Sequence, residues 1–323
     1  MRRWSIAVIA ALMLLSGQTA LAAQPAQGVV RDFANLATAD CHNPEGIAVS
    51  PTGVLYAAGL SGHICVLTQD RVTRVISVPP GPAGVTNFLG ELFEPSQGLF
   101  VVDIADFGAT ASGRLLRVDP DTGAASTLAG GFLAPNAIAQ NRHRTLFVSD
   151  SFAGAIYTVE PSGGGKTLWK ADPKLSTKGF PPFGANGVAF DRTESFLYVA
   201  NTGDSSILRI PVNVDGSAGD VVVFAKGATA ADPQLLHGAD GIMFDVTGQL
   251  WVCANQANEI QVLSPSGSLV ARYGHNSGDD AMVFPASLVF HERALYVTNL
   301  YFGAFGGKLS VLGVPFPGAP LRP

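Results

Sequence analysis

The chain has 323 residues, 47% of them hydrophobic and only 14% charged, with a formal net charge of −5. That balance excludes a nucleic-acid-binding surface, and no run of Lys and Arg restores one. Its 37 glycines and 21 prolines suit many short strands joined by tight turns, enough to fill one large all-β domain.

At the N-terminus, Arg2 and Arg3 precede an almost wholly apolar run from Ile6 to Leu15, and Ala20-Leu21-Ala22 offers a small-x-small cleavage site. This pattern predicts a signal peptide over residues 1–22 and export to a periplasm or the medium. The apolar run is too short to span a bilayer comfortably, and no later stretch approaches about 18 apolar residues, so no stable membrane anchor is expected. Export permits disulfides. Of the three cysteines, Cys41 and Cys65 flank the first repeat unit described below and can pair. The other reading is that Cys65 and Cys253, both inside strand-like runs, are small buried apolar residues. No Cys/His spacing of the zinc–thiolate kind is present.

Val29 to Ala37 is strand-like, and after it one unit recurs about every fifty residues. A polar or small residue and a Gly or Ala open an alternating apolar run, a turn follows, and a second apolar run closes the pair. The unit begins as Glu45-Gly-Ile-Ala-Val, with the turn at Ser50–Gly53 and then Val54-Leu-Tyr-Ala-Ala. A weaker copy runs from Phe88 to Asp103. Asn136-Ala-Ile-Ala, Asn186-Gly-Val-Ala-Phe and Asp240-Gly-Ile-Met-Phe open the next three, and a looser one starts at Ala286. A third and a fourth strand follow most pairs, as in His63-Ile-Cys-Val-Leu and Thr73-Arg-Val-Ile-Ser. Alternation with period two excludes helix, and four antiparallel strands per repeat mark a propeller blade. The expected fold is a six-bladed β-propeller over residues 27–314, its ring closed by the N-terminal strand, with a Pro-rich tail over residues 315–323.

In such a ring the first strand of each blade lines the axis, so equivalent residues converge although distant in sequence. Glu45, Asn136, Asn186 and Asp240 fall at one equivalent position, with Asn87 near it in the second unit and Ser287 in the sixth. Two carboxylates crowded at a channel mouth would repel and stay partly desolvated, which invites a cation. All-oxygen donors favour a hard one: Ca2+ leads, Mg2+ and Mn2+ follow, and Zn2+ is compatible. The bland alternative is that each residue simply satisfies backbone groups at a strand start.

The motifs at Asn186 and Asp240 resemble the senescence-marker-protein/gluconolactonase family, which includes lactonases and is similar to diisopropylfluorophosphatase. The resemblance spans essentially the whole mature chain. It implies a divalent metal held by Glu45, Asn186 and Asp240, with Asn136 as ligand or substrate contact. The first motif departs from the family, whose usual Glu-Gly-Pro is Glu45-Gly-Ile here; Glu45 to Gly53 also looks like an NHL-type repeat. Two functions are therefore expected to compete. One is a metal-dependent lactonase or esterase with Asp240 as base or nucleophile and a small-molecule lactone or ester as substrate. The other is a non-catalytic NHL-like propeller that binds a protein or glycan. A monomer is expected in either case.

His237, three residues before Asp240, is a candidate substrate contact, with an exposed loop histidine as the other reading. Asp172 to Gly184 is the longest insertion before a strand start and a candidate lid, with Phe180 and Phe183 as its apolar face and a mobile surface loop as the other reading. Tyr301, Phe302 and Phe305 form a comparable Gly-rich loop.

Overall fold

The computed structural model of the chain describes residues 25, 27–274 and 281–320. The expected signal peptide, residues 1–22, lies outside them, as does the end of the tail at 321–323. The described residues form six four-stranded antiparallel sheets arranged as a six-bladed β-propeller, and the only helical turns among them are two short 3-10 segments.

The innermost strands are Pro44–Val49, Phe88–Glu94, Pro135–Gln140, Ala185–Phe190, Ala239–Phe244 and Pro285–His291 in blades one to six. Each packs against the innermost strands of its two neighbours, which closes the circle. In the sixth blade the sheet is completed by Arg31–Asn35, which pairs with Lys308–Gly313 from Arg31 opposite Val311 to Asn35 opposite Lys308. The N-terminal strand therefore closes the ring as the sequence predicts, and it covers the edge that Lys308–Gly313 would otherwise leave open.

Period-two alternation explains how the blades adhere. Each central strand sends side chains to both faces, and each face meets a different neighbour. The result is six separate apolar cores, one at every blade junction. Tyr56, Ala58 and Ile64 of blade one meet Phe88, Leu99 and Val101 of blade two. Leu55, Ala57 and Cys65, on the opposite face of blade one, meet Val289 and Leu309 of blade six. Equivalent clusters fill the other four junctions.

Cys41 and Cys65 are joined in a disulfide that ties the loop before blade one to its third strand, across 24 residues of sequence. A loop of that size contributes about 3 kcal/mol in the chain-entropy view. Cys253 is a free, fully buried thiol in the blade-five core.

The Pro-rich segment after Val314 turns back along the axis. The amide of Ala319 donates to the Phe244 carbonyl at 2.8 Å, and that of Val246 donates to the Pro317 carbonyl at 3.0 Å. Ala319 and Pro320 thereby line one end of the central channel.

Candidate functional site

Every innermost strand carries the same irregularity at its start. In blade two Phe88 pairs with Asp103 and Glu91 with Val101, so two residues bulge between them. The same offset recurs between Pro135 and Ile138, Ala185 and Val188, Ala239 and Ile242, and Pro285 and Leu288, and a bulge follows Pro44 in blade one. The first bulged residue of each blade aims at the axis. In ring order these are Glu45, Leu89, Asn136, Asn186, Asp240 and Ala286.

The four oxygen-bearing residues predicted from the repeat therefore do converge, and all four line one pocket of about 410 Å³, counting the space at its open mouth. The other two positions need correction. Asn87 precedes its strand, and its Nδ2 donates to the Ala105 carbonyl at 2.7 Å. Ser287 lies one residue past the ring and lines the deeper channel. The true occupants are Leu89 and Ala286, so the donors form an unbroken arc from Asn136 to Asp240, and Glu45 faces them between two apolar neighbours.

The second bulged residue explains the Gly that follows most donors. A Cβ on Gly241 would lie 2.6 Å from the Ala286 carbonyl oxygen. One on Gly46, Gly90 or Gly187 would press still harder on the carbonyl of Leu89, Asn136 or Asp240 in the next blade. Where this position is Ala137 or Ser287, a hydroxyl bridges instead. Ser149 Oγ accepts from the Ala137 amide at 3.0 Å and donates to the Asn186 carbonyl at 2.7 Å. Thr298 Oγ1 accepts from the Ser287 amide at 2.9 Å and donates to the Glu45 carbonyl at 2.7 Å. Backbone contacts thus hold the ring, and the donor side chains stay free to point inward.

Two residues that the sequence reading missed complete the polar arc. Asn255, just past the second strand of blade five, donates from Nδ2 to Asp240 Oδ2 at 2.8 Å. Thr202, at the equivalent place in blade four, accepts from Asn186 Nδ2 at 2.9 Å and donates to the Ala239 carbonyl at 2.8 Å. Aligning the residue after each second strand would have found them: Leu60, Ile104, Ser151, Thr202, Asn255 and Leu300 occupy that position, polar only in blades three to five.

Glu45, Asn136, Asn186 and Asp240 are all buried. Yet Glu45 Oε2, Asn136 Oδ1 and Asp240 Oδ1 have no hydrogen-bond partner, and neither has Asn255 Oδ1, which lies against Gly238. Buried oxygens without donors are costly, and the first three, two of them from carboxylates, form a donor set that a hard divalent cation satisfies. The residues present therefore fit such an ion. Among the described residues no group of three or more His, Cys, Asp or Glu side chains is suited to a metal, because here half the donors are carboxamides.

Burial raises the carboxyls. Burial pushes Asp240 up to about 7, against the pull of hydrogen bonds from Asn255 and Asn186. Glu45 is raised well above the ordinary range by burial first, then by Asp240 and Glu91. Glu91 stands deeper in the channel, where the other blades place Ile47, Ile138, Val188, Ile242 and Leu288. Neither of its carboxylate oxygens has a hydrogen-bond partner. Burial pushes it up to about 8, with the nearby backbone of Ala48 and Ala58 pulling the other way.

A pH dependence follows. Asp240 and Glu91 hold their protons more tightly folded than unfolded, so unfolding releases protons from about pH 4 to about pH 8 and stability falls as pH rises through that window. Protein stripped of divalent cations is expected to show a melting temperature that declines steadily from pH 5 to pH 8, and Glu91→Gln should flatten the upper part of the decline. A melting temperature that rises over the same range in differential scanning calorimetry contradicts these assignments.

Above the donors the pocket is apolar. Leu60, Leu89, Phe284 and Leu300 come from the blades. Pro181 and Phe183 come from the insertion at 172–184, and Phe302 from the loop after Leu300. Phe180 does not line the pocket; it projects outward and is 72% exposed. Phe305 lies against the His42 ring, with centroids 4.9 Å apart. His237 is half-buried beside the site, with Nδ1 unpartnered, and is not among the residues lining the pocket.

Fold and site together define a six-bladed propeller with an oxygen-donor centre on its axis. Residues 161–300, which include Asn186, Thr202, Asp240 and Asn255, match the family model of the SMP-30/Gluconolactonase/LRE-like region. Residues 31–67, which carry Glu45, match the N-terminal model of strictosidine synthase-like proteins. No curated protein matches the chain in sequence. Among solved structures, it is similar to a gluconolactonase from Xanthomonas campestris, at 18% identity over 92% of this chain and 88% of that one, with a TM-score of 0.58. It is also similar to the calcium-binding protein regucalcin from Agrobacterium tumefaciens, at 17% identity over 88% and 95%, TM-score 0.64. A virginiamycin B lyase from Staphylococcus aureus, a catalytically inactive form with quinupristin, matches at 17% identity over 88% and 99%, TM-score 0.56. Likeness at this level establishes the shared propeller, on which different chemistries reside.

Proposed function

We propose that the protein is an exported, monomeric, metal-dependent hydrolase that opens a lactone or cleaves a related ester. The observation that carries this reading is the set of unpartnered buried oxygens on Glu45, Asn136 and Asp240. The family match over Asn186 and Asp240 supports it. Export is supported by the Cys41–Cys65 disulfide, which needs an oxidising compartment.

Glu45, Asn136, Asn186 and Asp240 would hold a divalent cation, with Ca2+ favoured by the all-oxygen donors. When bound, such an ion supplies Lewis acidity toward a carbonyl oxygen. The chain supplies the rest. Asp240, fixed through Oδ2 by Asn255, presents Oδ1 to the pocket both as a donor to the ion and as the base that would take the proton of an attacking water and return it to the ring oxygen as the C–O bond breaks. Thr202 fixes the Asn186 amide, and the apolar wall excludes competing water.

Purified protein is expected to contain about one tightly held calcium per chain, to lose lactone hydrolysis on chelation and to regain it when Ca2+ is returned. No metal by elemental analysis, together with no thermal stabilisation by any divalent cation, would leave a binding module instead.

A further inference from the structure

Resting on that reading of the site, we infer that its substrate has an apolar body, such as a lactone carrying an alkyl chain, and is not a polyhydroxylated sugar lactone. A sugar lactone presents several hydroxyls, and each must exchange water for a partner in the pocket or lose about 1–3 kcal/mol. This pocket has none to offer beyond the donor arc. Of its other polar groups, Thr202 already accepts from Asn186 and donates to the Ala239 carbonyl, while Asn255 is committed to Asp240 through Nδ2 and turns its unpartnered Oδ1 against Gly238. No Lys, Arg or His lines it.

The surface continues the same chemistry. Phe107 and Phe302 line the pocket, yet 39% and 43% of each is exposed. Phe180 and Phe305 stand on the two loops that supply Phe183 and Phe302, and they are 72% and 66% exposed. Four exposed phenylalanines on the pocket wall and its bordering loops are costly in water and gain from covering. A flexible alkyl chain leaving the donor arc would run across them. Phe284 and Phe302 are already stacked, with centroids 5.1 Å apart, as one side of that path.

The test is a substrate series on protein supplied with Ca2+: γ-butyrolactone, γ-octalactone, γ-dodecalactone and glucono-δ-lactone. Each added methylene should raise kcat/KM about threefold, mainly through KM, until the wall is covered. Glucono-δ-lactone should fall at least ~100-fold below γ-octalactone, as two or more unpaired hydroxyls require. Phe302→Ser and, separately, Phe305→Ser, both at exposed positions, should flatten the chain-length series. Equal or better turnover of glucono-δ-lactone overturns this inference and leaves the lactonase reading intact. If no lactone is turned over, the lactonase reading fails, and calorimetry with uncleaved lactams decides this one. Binding of an alkyl lactam that Phe302→Ser weakens, with no heat from gluconolactam, upholds the apolar ligand; the reverse order, or no binding of either, overturns it.

Discussion

Replacing Asp240 by Asn is expected to lower kcat/KM for lactone hydrolysis by at least ~100-fold and to make the cation-free protein harder to melt at pH 8. The two effects have opposite signs because the carboxylate serves binding and chemistry at the expense of the empty fold. It is buried and already raised to about 7. Ionising it at pH 8 therefore costs on the order of 4 kcal/mol relative to a solvated Asp. The amide keeps the shape and removes the charge, so most of that penalty disappears. It also removes the negative charge that a divalent cation and a proton both need. The variant should accordingly lose the rise in melting temperature that wild type shows on adding Ca2+. Activity within threefold of wild type, or a cation-free variant that melts below wild type at pH 8, refutes the assignment.

Gly187→Ala should be the most damaging single methyl in the ring. The new Cβ would sit within the carbonyl oxygen of Asp240 and 3.0 Å from Gly241 Cα and Ile242 N, all backbone atoms of the next blade. No rotamer relieves a clash between a Cβ and main chain, so the blades must separate or the bulge must refold. A loss of about 3 kcal/mol is expected, read as a shift in urea midpoint without a change in slope. Cation affinity should fall with it, because the shifted strand carries Asp240. Gly216→Ala, at a surface turn with nothing within 4 Å, is the control for a methyl that meets no neighbour, although its φ of +82° adds local strain. A Gly187→Ala protein as stable as wild type would mean that the inner strands do not pack as described.

How much of this was legible beforehand depended on which residues leave a periodic trace. The blades were readable because alternation such as Leu197-Tyr-Val-Ala is set by the two faces each strand must bury, and that constraint repeats at every blade. Closure by Val29 to Ala37 followed from a surplus strand at one end and a missing one at the other. The donors Asn186 and Asp240 were visible through the Gly after them, which close packing demands. Leu89 and Ala286 were not, since an apolar residue in an apolar run gives no mark of facing the axis. Asn255 and Thr202 escaped because their strand-following position is polar in only half the blades. Glu91 was hidden for the opposite reason: Phe88-Leu-Gly-Glu-Leu-Phe-Glu looks like an ordinary alternating strand with its carboxylates in water. The loop phenylalanines were anticipated as a set but not sorted, because which of Phe180, Phe183, Phe302 and Phe305 turns inward depends on loop paths with no period.

The bulges that seat the donors have an implication for how such a centre changes. Neighbouring blades grip one another there through carbonyls and glycines, and the side chain next to each grip carries none of the load. The six axial positions therefore behave as interchangeable sockets: chemistry can be rewritten in one without renegotiating the architecture. Leu89 and Ala286 show two sockets filled with inert groups in an intact ring. A carboxylate placed at Ala286, between Asp240 and Glu45, would alter the charge of the centre while the contacts that hold the blades together stayed as they are.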